Sequence, residues 1–124
     1  MGAATNYFEN KLLDSLRNIS CAVATPFLKM HISDPGEDAT NGAAGNTTRK
    51  AVTFGSGASG GTISNTVAIT WTNVNTTETY SHVSLWDAET SGNPLYYGAL
   101  TASKAVNAGD TFEIPIGDLD ISID

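Results

Sequence analysis

The chain has one cysteine, Cys21, among 124 residues. A lone thiol excludes an internal disulfide, and a small apolar side chain of this kind is expected to be buried. Charge is also scarce. Charged residues make up only 15% of the chain, which excludes the highly charged composition of a disordered segment. There are two histidines, His31 and His82, and no pair of them at helical or strand spacing to form a ready metal site. Met1 to Asn6 holds neither a basic region nor an apolar run, so no signal peptide is expected. Asn6 stands where myristoylation needs Ser or Thr. No stretch is apolar for long enough to predict a membrane helix.

What the sequence does contain points to strands. The length fits one domain that can bury roughly two-thirds of its unfolded surface. Apolar residues make up 40%, and Gly, Thr and Asn are abundant, a mixture that favours strands and tight turns over helices. The net charge of −7 is uneven. Residues 1–62 carry five charges of each sign, whereas residues 63–124 carry Lys104 against eight carboxylates. An acidic half repels phosphate backbones, so no nucleic-acid partner is expected. Such charge serves solubility or complements a basic protein surface.

The stretch from Tyr80 to Leu100 organises the rest. Two arms rich in aromatic, Val and Leu residues flank a polar turn from Asp87 to Pro94, the pattern of a β-hairpin. Apolar bulk on both faces of each arm places it centrally in a sheet. Ahead of it, residues 6–18 predict one helix, with Asn6 as cap, Glu9 completing a capping box, and Phe8, Leu12, Leu16 and Ile19 in one apolar stripe. A lone helix of this length is marginal in water. Its stripe is expected to pack on its own domain or on a neighbouring subunit.

Further strands are expected at Phe27–Ser33, Arg49–Phe54, Ile63–Val74, Lys104–Val106, Phe112–Ile116 and Leu119–Ile123. In Ile63–Val74 the buried face is expected to carry Ile63, Val67, Ile69 and Trp71. Pro115 cannot donate to a ladder and so marks an edge or strand end. The fold class is mainly β, an antiparallel sandwich of seven or eight short strands, jelly-roll-like, after one amphipathic helix. The boundary falls near residue 20, giving an N-terminal helix or arm over 1–20 and a β-sandwich domain over 21–124.

Four motifs could carry chemistry, and each has a plainer reading. Gly57 to Gly61 matches G-x-S-x-G around Ser59, but a strand follows where a nucleophile elbow needs a helix. A glycine-serine connection matches it by chance. Asp34, Glu37 and Asp38 could hold a cation, yet their spacing is not that of an EF-hand and suits turn chemistry. His31 and His82 are expected as hydrogen-bonded sheet residues. Asn46 and Asn75 begin N-x-T patterns and are expected as ordinary loop residues. No catalytic residue, metal or cofactor is expected.

Several segments together resemble a known family. They are Asn6 to Asp14, His31 to Gly36, Arg49 to Gly55, Gly61 to Thr66, Leu95 to Leu100 and Val106 to Phe112. In these the chain resembles small virion proteins of tailed bacteriophages, of the capsid decoration (cement) or tail-fibre-like kind. The resemblance implies a non-enzymatic virion component with a β-sandwich fold, assembled in the bacterial cytoplasm. The main expectation is a decoration protein that binds the major capsid protein lattice and stabilises the shell as a homo-oligomer, a trimer being favoured. The alternative is a tail or fibre protein contacting host glycans, with Trp71, Trp86 or Tyr97 exposed for sugar stacking. Interface candidates are Phe8, Leu12, Leu16, Trp86, Tyr96 and Tyr97. No membrane partner is expected.

Overall fold

The computed structural model describes residues 2–123. A five-stranded antiparallel sheet forms around the expected hairpin. Its arms are β6 (Glu78–Trp86) and β7 (Pro94–Val106), in the order β1-β7-β6-β2-β3, with β1 at Ala3–Ala4, β2 at Phe27–His31 and β3 at Lys50–Ala51. The hairpin is therefore central, as its two-sided bulk required. β7 continues past Leu100 and absorbs the short strand expected at Lys104–Val106.

Opposite this sheet lie two small antiparallel pairs, β4 (Thr62–Ser64) with β9 (Asp120–Ser122) and β5 (Ile69–Trp71) with β8 (Phe112–Ile114). The result is sandwich-like. Leu28, Met30, Val83, Leu85 and Tyr96 of the large sheet meet Ile69, Trp71, Phe112, Ile114 and Ile121 of the second layer. Period-2 alternation explains the set, because every second side chain of β2, β5 and β8 points inward. The Trp71 and Phe112 rings are 5.6 Å apart, and Tyr80 meets Phe112 edge-on at 5.1 Å, geometries that suit aromatic quadrupoles. A bulge between Tyr80 and His82 lets Tyr80 and Val83 share the core despite their odd spacing.

The expected single strand over Ile63–Val74 is two strands with different partners. Asn65 breaks it. Its side chain is 1% exposed, donates to the carbonyls of Val67 (2.9 Å) and Pro115 (3.1 Å), and accepts from the N–H groups of Gly117 (3.1 Å) and Leu119 (3.0 Å). Those bonds pull the chain out of the ladder, so Val67 is 52% exposed rather than on the buried face. Arg49–Phe54 shortens to β3 because only Lys50 and Ala51 reach β2. Pro115 lies just beyond the end of β8, where its missing N–H costs no ladder bond.

The helix, α1, spans Asn6–Asp14 and is followed by a 3-10 turn at Ser15–Arg17. Its cap is Thr5, not Asn6. Thr5 Oγ1 accepts from Phe8 N–H at 3.2 Å and donates to the Pro94 carbonyl at 2.6 Å. The expected box of Asn6 and Glu9 is displaced because this long-range bond fixes Thr5 and ties the helix start to β7. β1 adds a second tie, pairing Ala3 with Tyr97 and Ala4 with Tyr96. Among the described residues no helix is long and apolar enough to cross a membrane.

Candidate functional site

The outer face of the large sheet collects the chemistry-bearing side chains. Register places Phe27 opposite Trp86, Lys29 opposite Ser84, His31 opposite His82, and Ser84 opposite Tyr97. Facing residues of an antiparallel pair share one side of the sheet. Sequence spacing gave neither histidine a partner along its own strand, whereas the tertiary register makes them neighbours.

His31 is fully buried in a determined hydrogen-bond chain. Its Nδ1 lies 2.8 Å from the Asn41 carbonyl, which can only accept, so Nδ1 carries the proton. Nε2 then accepts from Ser84 Oγ at 2.7 Å, and Ser84 Oγ accepts from Trp86 Nε1 at 2.7 Å. Burial lowers the His31 pKa, and the nearby positive charge of Lys29 adds to that shift. The arrangement looks like a serine-histidine pair, but both side chains are 0% exposed. Its geometry orients the Trp86 indole instead.

Trp86 is half-buried and carries two cations. The Arg49 Cζ lies 3.9 Å from the ring centre and Lys29 Nζ lies 5.8 Å away. Arg49 Nη1 also donates to the carbonyls of Ala88 (2.9 Å) and Ser91 (2.7 Å), pinning the hairpin turn. Burial lowers the pKa of both Lys29 and Arg49, and repulsion from Arg49 lowers Lys29 further. Nothing in the local sequence brings these two cations together. The outward phase of Lys29, between Leu28 and Met30, was the only signal available.

The six candidate interface residues are dispersed. Trp86 and Tyr97 share the outer face, whereas Tyr96 is 1% exposed in the core. Burial raises the Tyr97 pKa, and the carboxylates of Glu37, Asp34 and Glu9 raise it further. Phe8 and Leu12 are half-buried, while Leu16 is 84% exposed. The helical stripe splits because the α-helix ends at Asp14 and the tighter 3-10 turn rotates Leu16 off the line of Phe8 and Leu12. Leu13 and Ile19 are exposed as well. Phe8 lines an apolar groove of 510 Å³ together with Pro26, Phe54, Leu95 and Ile123.

The remaining motifs fall to local structure. Ser59 sits in a tight turn, exchanging backbone hydrogen bonds with Thr62 before β4. Asp34 Oδ1 accepts from Gly36 N–H, and Asp38 Oδ1 accepts from Thr40 N–H and Oγ1, which lowers the Asp38 pKa. Among the described residues no three of His, Cys, Asp and Glu are placed to hold a metal ion together. Asn46 is buried at a corner where Glu78 accepts from the N–H groups of Gly45 (2.8 Å) and Asn46 (3.1 Å). Trp71 is sealed in the core, with Nε1 donating to Thr48 O at 2.9 Å, and so is not a sugar-stacking surface. Cys21 is half-buried.

Compared with known proteins, residues 3–122 match the family described as "Podophage GP4 fiber I protein gp80". No curated protein matches the chain.

Proposed function

This chain belongs to the podophage GP4 fiber I protein gp80 family, and on that premise we propose that it is a structural component of the tail-fibre apparatus of a short-tailed phage. It is a phage virion structural protein. The observation that carries the fibre assignment is the family match across residues 3–122, whose description names a fibre. That supports the fibre reading over the capsid-decoration reading. The role is non-enzymatic and works through protein surfaces held by a rigid two-layer scaffold.

The geometry supports such a role. The outer face presents a cation-bearing tryptophan on a central strand, fixed from behind by the His31–Ser84 chain. Rigid presentation of an aromatic side chain lowers the entropy cost of binding. Any contact with host glycans would fall to Trp86 or Tyr97, since Trp71 lies in the core.

Location can be tested on the particle. A short epitope placed at the exposed Gly57, where added bulk meets open space, should leave folding intact. Gold-labelled antibody on purified virions is expected at the fibres. Gold distributed over the head would overturn the fibre assignment in favour of a capsid role.

A further inference from the structure

Two of the six cationic side chains stand together on the outer face at one edge of the large sheet, Lys29 in β2 and Arg49 just before β3, whereas Lys50 pairs with the core residue Leu28 and so takes the other side. Among the described residues no carboxylate lies within ion-pairing distance of either. Among the described residues the one ion pair within 4.0 Å is Arg17 with Asp14. Asp87 supports Arg49 from further away, but its carboxylate is engaged by Asn93 N–H (2.7 Å) and the Asn93 side-chain amide (3.2 Å). Lys29 and Arg49 are thus held against one indole, partly desolvated and mutually repelling. A carboxylate arriving from outside would offset the repulsion between the two cations.

The same chain carries carboxylates in a complementary setting. An open groove of 740 Å³ runs between the far half of β7 and the β8–β9 region. Phe112, Ile114 and Pro115 line it, and Glu113, Asp118 and Asp120 rim it, against one cation, Lys104. Lys29, Arg49 and Trp86 do not line this groove, so a single chain does not make the contact with itself. We propose that the Trp86–Arg49–Lys29 platform of one copy docks into the Glu113–Asp118–Asp120 groove of a second copy.

Charge selects this pairing. The groove is lined by Glu113, Asp118 and Asp120 against Lys104 alone, so it repels its own kind and attracts the Lys29–Arg49 pair. Tryptophan and arginine are also the side chains most enriched among interface hot spots. Because the two surfaces differ, the contact is heterologous, and it generates a closed ring or an open filament according to the rotation it imposes. It is a property of the chain in solution and stands or falls apart from where the virion carries it.

Sedimentation velocity of the full chain tests the contact. An oligomer is expected in low salt, dissociating as salt rises. Lys29→Glu should weaken self-association about tenfold or more, and so should Glu113→Lys combined with Asp118→Lys. Mixing the two variants should restore assembly, because the acidic groove of the first meets the intact platform of the second. Circular dichroism confirms that both fold. An oligomer indifferent to these reversals overturns the proposal, and so does a chain that stays monomeric at about 100 µM in low salt. In the monomeric case, quenching of Trp fluorescence by polygalacturonate would give the platform to an acidic glycan instead.

Discussion

The Arg49 guanidinium stacks 3.9 Å from the centre of the Trp86 ring while its Nη1 holds the carbonyls of Ala88 and Ser91. One side chain thus joins the β3 edge, the central strand β6 and the hairpin turn. A stacked guanidinium with two charge-assisted bonds contributes more than a surface ion pair.

Arg49→Ala is expected to cost about 2 kcal/mol, read as a lower urea midpoint with an unchanged slope. Arg49→Lys should recover little of it, because a lysine ammonium cannot lie flat on the indole and fork to two carbonyls.

The Asn65 side chain bonds four backbone groups in two segments, at Val67 and over residues 115–119. Asn65→Ala removes the acceptor of Leu119 N–H, while Gly117 N–H keeps the Asn65 backbone carbonyl at 3.0 Å, and should cost about 2 kcal/mol or more in chemical denaturation. Asn65→Asp should not rescue it. The carboxylate keeps both acceptors but turns an oxygen toward the carbonyls of Val67 and Pro115.

His31 makes stability depend on pH with a definite sign. Its folded pKa lies below the ordinary 6.5, first through burial and then through Lys29 and His82, despite the opposing bond to Asn41. The unfolded chain therefore takes up a proton that the folded chain refuses. The stabilisation is present above pH 6.5 and is lost as pH falls through 6.5 toward the lowered value. Melting temperature should drop between about pH 7.5 and about pH 5.5, above the range where most carboxylates titrate. His31→Gln should flatten that dependence, and an equal drop in the variant would show that another group is responsible.

Leu16 is 84% exposed and sits on a 3-10 turn. Leu16→Asp should change the stability of the isolated chain by no more than about 0.5 kcal/mol. Leu12, half-buried in α1, should be less tolerant of the same change. Thermal denaturation of the two variants side by side checks the contrast.

Much of the scaffold could be read from local pattern. Alternation from Phe27 to His31 and from Tyr80 to Leu100 encodes a face, and a face is a one-dimensional property of a strand. The outer site was far less visible. Lys29, Arg49 and Trp86 come from three separate segments, and nothing within any one of them says that they meet. The helix cap shows the same limit, because Thr5 is chosen by its bond to Pro94, 89 residues away.

The residue order by itself determined that this protein is mainly β, that the hairpin around Asp87–Pro94 lies at its centre, and that a helix precedes the sheets. Periodicity and turn chemistry act over a few residues, and they suffice for that. Only the tertiary structure decided that His31 faces His82, that Asn65 divides one expected strand into two, and that Leu16 is left in solvent. Each of these depends on the register between distant strands, where a shift of one position reverses every side chain.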